Sequence, residues 1–159
     1  MVMEPRKRIS ERALKVWRIY GIFYSALFLC LAGGIIALAI AFNWPSWISI
    51  ISVLLFVLFL YIFVVRFPLM RWKRWHYEIR EQEIELQRGV FVIKRTLVPM
   101  VRVQHVDTQQ GPILRKYDLS SVTVSTAATV HEIPALEMEE AEEIRIFISK
   151  LAKVEDEDV

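Results

Sequence analysis

The sequence predicts a two-helix membrane hairpin followed by a mainly-β domain that a C-terminal helix caps. Three observations carry this. Ile19 to Val65 is a run of 47 residues without Asp, Glu, Lys, Arg or His. Beyond Trp75 apolar residues alternate with polar ones, as in half-buried strands, and beyond Glu137 they recur every three or four residues, as on one face of a helix.

The apolar run divides at Asn43-Trp44-Pro45-Ser46. A span needs about 20 apolar residues at about 1.5 Å rise each. Residues 19–42 supply 24 and residues 47–65 supply 19, so 19–65 is read as a hairpin of two spans. Pro45 disfavours helical geometry in Trp44 and has no amide hydrogen to donate, which suits a break there. A secretory signal peptide ending at Ala37-Leu38-Ala39 is the rival reading, but its core would be about 7 to 15 apolar residues, shorter than this run. Cys30, the single cysteine, lies in mid-span and reads as a small packing residue.

The flanks set orientation. Residues 1–18 carry six Lys or Arg against two Glu, residues 66–76 carry four and no acid, and the intervening turn is uncharged. The positive-inside bias then puts both termini of a multi-pass cell-membrane protein in the cytoplasm. Residues 1–18 read as a basic cytoplasmic segment and 66–76 as a basic juxtamembrane segment. In the latter Arg66, Arg71, Trp72, Lys73, Arg74 and Trp75 are the expected membrane-interface anchors on anionic lipid headgroups, each cation near the surface contributing about 1 kcal/mol.

From Tyr77 onward ten basic residues face sixteen acidic ones, a net charge of −6 that argues against a nucleic-acid partner. The domain is read as 77–153, followed by an acidic, disordered tail at 154–159. Trp75, Tyr77 and Ile79, then Ile84 and Leu86, form a hairpin. Arg88-Gly89 turns into a strand at Val90 to Ile93, and Thr96 to Val106 is extended chain broken by Pro99, with Val101 and Val103 on one face and Arg102 and Gln104 on the other. Gly111-Pro112 breaks the chain before a helical turn at Ile113 to Tyr117. Val122, Val124 and Thr126 mark a half-buried strand with His131 to Ile133 as its partner. Met138, Ala141, Ile144, Phe147 or Ile148, and Leu151 mark a helix face, with Glu137, Glu139 and Glu140 in the first turn and Lys150 and Lys153 in the last, as the helix dipole favours.

The residues offer little chemistry. His105 and Asp107 with Ser120, Ser121 or Ser125 are a set that three common residue types supply by chance. The three histidines are scattered, one cysteine makes no zinc spacing, and no glycine loop for phosphate exists, so no catalytic residue, cofactor or metal is expected. Gly33-Gly34 would let another helix approach closely, either a partner's or the chain's own second span.

The run from Val101-Arg102-Val103-Gln104-His105-Val106-Asp107 through Gln110-Gly111-Pro112-Ile113-Leu114-Arg115-Lys116-Tyr117, the Val-Thr-Val-Ser-Thr-Ala stretch ending at Ala127, and Ile133-Pro134-Ala135-Leu136 resemble the bacterial pleckstrin-homology-like domain. With the preceding spans, the chain resembles the YdbS-type membrane proteins. Asp118 departs from the glycine usual after the aromatic, and Ala128-Thr129 from a glycine-rich turn. The resemblance implies a bent antiparallel sheet of about seven strands capped by a C-terminal helix. It also implies a partner, a larger membrane protein carrying several such domains, and it brings no catalytic residues. The expected role is therefore a non-enzymatic, membrane-anchored interaction and assembly module, with a homo-oligomer as a further arrangement. The alternative is a sensor of lipid headgroups or another ligand at the inner membrane face. Arg102, Gln104, Arg115 and Lys116 are the candidate contacts for a partner or ligand.

Overall fold

Asn43 stands in the left-handed region at φ +51, a conformation its short polar side chain tolerates, and it turns the chain from one apolar helix into the next. In the computed structural model, which describes residues 7–157 and the side chains of residues 7–153, these helices are α1 (Ala13–Ala41) and α2 (Ser46–Tyr61). A π-helical turn (Ile62–Arg66) and α3 (Phe67–Arg74) continue α2, so the helical path runs unbroken from Ser46 to Arg74. Each path has 29 residues, about 44 Å at 1.5 Å rise and longer than a hydrocarbon core of about 30 Å. Residues 17–70 form one compact unit; residues up to Val16, with those from Arg71 onward, form the other.

Within the membrane unit the two helices approach closely at Gly21. A Cβ there would lie 2.5 Å from the Phe63 carbonyl oxygen, in the π-helical turn. Phe28 stacks on Phe59 at 3.6 Å between ring centroids, and Ser25 donates its hydroxyl to the Gly21 carbonyl at 2.8 Å. Gly33 and Gly34 do not serve the packing against the second span: a Cβ on either would meet nothing within 4 Å. The spans thus meet at Phe28 with Phe59 and where the π turn sets a carbonyl against Gly21, a residue the sequence reading passed over.

Among the described residues the other unit has seven strands. β1 (Lys7–Arg8), β2 (His76–Ile79), β3 (Glu83–Arg88) and β4 (Lys94–Pro99) form one antiparallel sheet in that order. β5 (Val103–Gln109), β6 (Leu119–Thr126) and β7 (Val130–Glu137) form the second. A 3₁₀ turn (Met100–Arg102) links the sheets, α4 (Pro112–Lys116) links β5 to β6, and α5 (Met138–Glu157) packs on β5, β6 and β7. Tyr77, Ile84, Met100, Leu119, Val122, Ile133, Leu136 and Ile148 are fully buried and make the core. Asp118, where a glycine was expected, takes φ +54, so its residue type changes while the left-handed turn is kept.

Several details differ from the sequence reading. Residues 90–93 are a loop and not a strand, β4 beginning at Lys94. The 3₁₀ turn breaks the alternation, leaving Val101 exposed while Val103 is buried. β6 is buried on both faces from Leu119 to Val124, because it is the middle strand of its sheet and α5 packs on it. In α5 the buried face is Ala141, Ile144 and Ile148, with Met138 and Phe147 exposed. The helix runs to Glu157, so Lys150 and Lys153 are not in its last turn and residues 155–157 are helical; residues 158–159 of the acidic tail lie outside the described residues.

The N-terminal segment also differs. It belongs to the domain: Ile9, Ala13 and Val16 are buried, and β1 pairs with β2. Ser10 donates to Glu137 at 2.6 Å, Arg12 pairs with the same carboxylate at 3.2 Å, and Ser10 N donates to the Ala135 carbonyl. Residues 1–6, including the cation expected at Arg6, lie outside the described residues.

Candidate interaction site

The four contact residues read from the sequence fall into two places. Arg102 ends the 3₁₀ turn and Gln104 follows it at an irregularity between Val103 and His105, where the β5–β6 register shifts. Arg115 and Lys116 lie in α4, beyond the far end of β5. Seven residues of strand at about 3.3 Å each separate the pairs by roughly 20 Å, so one small ligand cannot touch both.

Arg102 and Gln104 line a cleft of about 930 Å³ between the end of β4, the start of β5 and the β6–β7 turn. Its walls are mixed: Leu97 and Val101 are exposed apolar residues, and His105, Thr129 and His131 are polar. The Thr126 hydroxyl donates to the Thr129 carbonyl at 2.9 Å and accepts from the Thr129 amide at 3.0 Å, which fixes the turn without the expected glycines. Thr129 Oγ1 lies 2.9 Å from His131 Nε2. Burial, with the positive charge of Arg88 and Lys94, pushes the His131 imidazole below its ordinary value. The cleft is thus an open surface of mixed apolar and polar character close to the Arg88 and Lys94 cations.

Of the serines near His105 and Asp107, two are engaged with the backbone and the third is the cross-strand partner of His105. Ser120 donates to the Gln109 carbonyl at 3.1 Å, Ser121 accepts from the Ala135 amide, and Ser125 faces His105 across the β5–β6 pairing. Among the described residues no group of His, Cys, Asp or Glu is placed to hold a metal ion.

The expected interface anchors also divide. Arg66 is in the π-helical turn, and Arg71, Lys73 and Arg74 are exposed near the end of α3. Trp75 is not a membrane anchor: it is 4% exposed, a core residue placed just before β2. Trp72 is half-buried and holds the N-terminal segment, donating its indole N–H to the Ile9 and Ser10 carbonyls at 3.3 and 3.2 Å, with the Arg8 guanidinium 5.8 Å from its ring centre. Both aromatics look amphipathic in sequence, yet strand pairing of β1 with β2 draws them into the domain.

Sequence reasoning missed the β3–β4 turn, where Phe91 and Val92 are among the most exposed apolar residues of the domain. A signal was present. Val90-Phe91-Val92-Ile93 does not alternate, and it is bounded by Gly89 and by Lys94-Arg95.

Two apolar helices of spanning length joined to a mainly-β, helix-capped domain define a membrane protein with a pleckstrin-homology-like domain. The chain belongs to the bacterial PH domain family, whose description matches residues 21–152. It is 51% identical over 156 residues to UPF0699 transmembrane protein YdbS of Bacillus subtilis (strain 168), covering 98% of each chain. It is also 29% identical over 104 residues to UPF0699 transmembrane protein YdbT of the same organism, which takes in 62% of this chain and 21% of that protein. No solved structure matches the chain significantly.

Proposed function

We propose that the chain is a non-enzymatic, membrane-anchored interaction module that presents its domain to a larger membrane protein carrying domains of the same kind. The observation behind this is the match to YdbT, where a stretch like 62% of this chain occupies only 21% of a much longer transmembrane protein. Related domains in proteins held to one membrane meet at high effective concentration, which favours pairing between weakly complementary surfaces. The cleft at Arg102 and Gln104, with exposed Leu97 and Val101 beside it, is the surface assigned to that contact.

Both termini are placed in the cytoplasm in this reading. In a Cys30→Ala background, a Ser46→Cys label should be reachable from outside the cell and an Ala128→Cys label should not; the opposite pattern would reject the orientation. The partner test is co-purification from mild detergent. Arg102→Glu should lower recovery of the larger protein at least tenfold, which corresponds to about 1.4 kcal/mol, while Arg115→Glu, at the other end of β5, should leave it unchanged. Equal recovery with both variants would remove the cleft from the interface. His105→Ala should preserve the fold, and a hydrolytic activity lost with that change would show an enzyme instead.

A further inference from the structure

The turn between β3 and β4 is built unlike a water-facing loop. Phe91 is 84% exposed, Val92 79% and Ile93 51%. Gly89 sits at φ +131, and a Cβ there would collide with the Val92 carbonyl, so the tip is held in a shape that only glycine allows. Below the tip Arg88 and Lys94 are direct cross-strand partners. Like charges in that position repel. Among the described residues neither has a carboxylate within ion-pair distance. Arg95, one step along, is held by Gln87 at 2.9 Å.

The geometry points to an anionic lipid bilayer as the occupant of this tip, with Phe91, Val92 and Ile93 entering the acyl boundary and Arg88 and Lys94 resting on the headgroup phosphates. Two cations set together behind an apolar tip are complementary to a layer of negative charge over hydrocarbon. A fluid phase needs no matching pocket. Three protruding side chains, by contrast, fall well short of the roughly 800 Å² that each partner buries in a stable protein interface. The two apolar helices tether the chain to a bilayer, so the tip needs only modest intrinsic affinity to be occupied. This inference is independent of the protein partner above, since the cleft and the tip use different residues.

The test uses the full chain in a Cys30→Ala background, with an environment-sensitive fluorophore on Val92→Cys or, as a control on the β6–β7 turn, on Ala128→Cys. The protein is reconstituted into phosphatidylcholine vesicles with and without phosphatidylglycerol, containing lipids with nitroxide quenchers in their acyl chains. The Val92 label should be blue-shifted and quenched in the anionic vesicles, and the Ala128 label should not. Replacing both Arg88 and Lys94 by Gln should lower occupancy about thirtyfold, and raised salt should lower it too. An unchanged unfolding transition in that variant shows that the loss is not misfolding. Absence of quenching in anionic vesicles, or equal quenching of both labels, would overturn the proposal. Shielding of the Val92 label only when a larger membrane protein is added would assign the tip to a protein instead.

Discussion

The two ends of β3 are finished for different surroundings. At the β2–β3 turn Arg80 reaches Glu83, Glu78 and Glu85 at 2.8, 3.3 and 3.4 Å, and the hydrogen bonds to Glu78 and Glu83 hold its guanidinium charge more firmly than usual. At the β3–β4 turn, six residues along the strand, Arg88 faces Lys94 and the apex is Phe91 and Val92. One end compensates its cation with carboxylates and hydrates the rest. The other gathers cations without internal anions and exposes hydrocarbon. The lesson is that an exposed apolar residue gains meaning from the charges around it: Leu97 alone could be an ordinary surface side chain, whereas Phe91 behind a like-charged pair signals an external partner.

The comparison is sharpened most by separating apolar residues that hold the domain from those that do not. Ile84, fully buried near the start of β3, should cost about 2–5 kcal/mol when changed to Ala. Ile93→Ala, at the exposed turn, should stay within about 0.5 kcal/mol. Urea unfolding of the full chain in detergent reads both. A comparable loss at Ile93 would show that the tip is part of the core and would end the comparison.

Next in size are the glycines. Gly89→Ala forces a non-glycine residue to φ +131 against the Val92 carbonyl and should cost about 1–3 kcal/mol, deforming the tip as it does so. In the membrane unit Gly21→Leu meets the Phe63 backbone and should lower stability by about 1–3 kcal/mol through overpacking. Gly33→Leu and Gly34→Leu, facing open space, should leave the isolated chain's thermal transition in place. If they reduce recovery of a larger membrane protein without moving that transition, the two glycines face a partner helix.

The broad design was legible because its signals are long and redundant. A charge-free run of 47 residues can hardly be anything but membrane helix, and strand alternation located β2, β3 and the pairing of β6 with β7. Short, competing signals misled. Val90-Phe91-Val92-Ile93 has strand propensity, but Gly89 at positive φ and the register that sets Arg88 against Lys94 leave it at the apex of a turn. Trp75 stands beside basic residues, as an interface anchor would, yet the strand that follows carries it into the core. The four candidate contact residues are close in sequence terms, but the seven-residue strand β5 lies between the two pairs, a distance that residue types do not encode.

A smaller effect has the opposite sign from most surface changes. Lys94→Glu turns a repulsive cross-strand pair with Arg88 into an attractive one and should stabilise the domain by about 0.2–1 kcal/mol in lipid-free detergent. The same change should weaken docking of the tip on anionic vesicles. A variant that is destabilised in detergent would mean that Lys94 already has a favourable partner in the folded chain, and the contrast between the ends of β3 would fail.

The finest test is the titration of His131. Its imidazole is held below the ordinary value first by burial and then by Arg88 and Lys94, so the folded chain binds a proton there less readily than the unfolded chain. The contribution of this group to stability is therefore full above the unfolded value of about 6.5 and is lost as pH falls through the lower, folded value. Lys94→Glu removes one of the two repelling cations and should move the His131 titration, followed by NMR, upward. Anionic lipid at the tip should act in the same direction, because phosphates beside Arg88 and Lys94 screen the field that reaches the ring. A titration unmoved by anionic vesicles, in a protein where Lys94→Glu does move it, would place those two cations away from the headgroups.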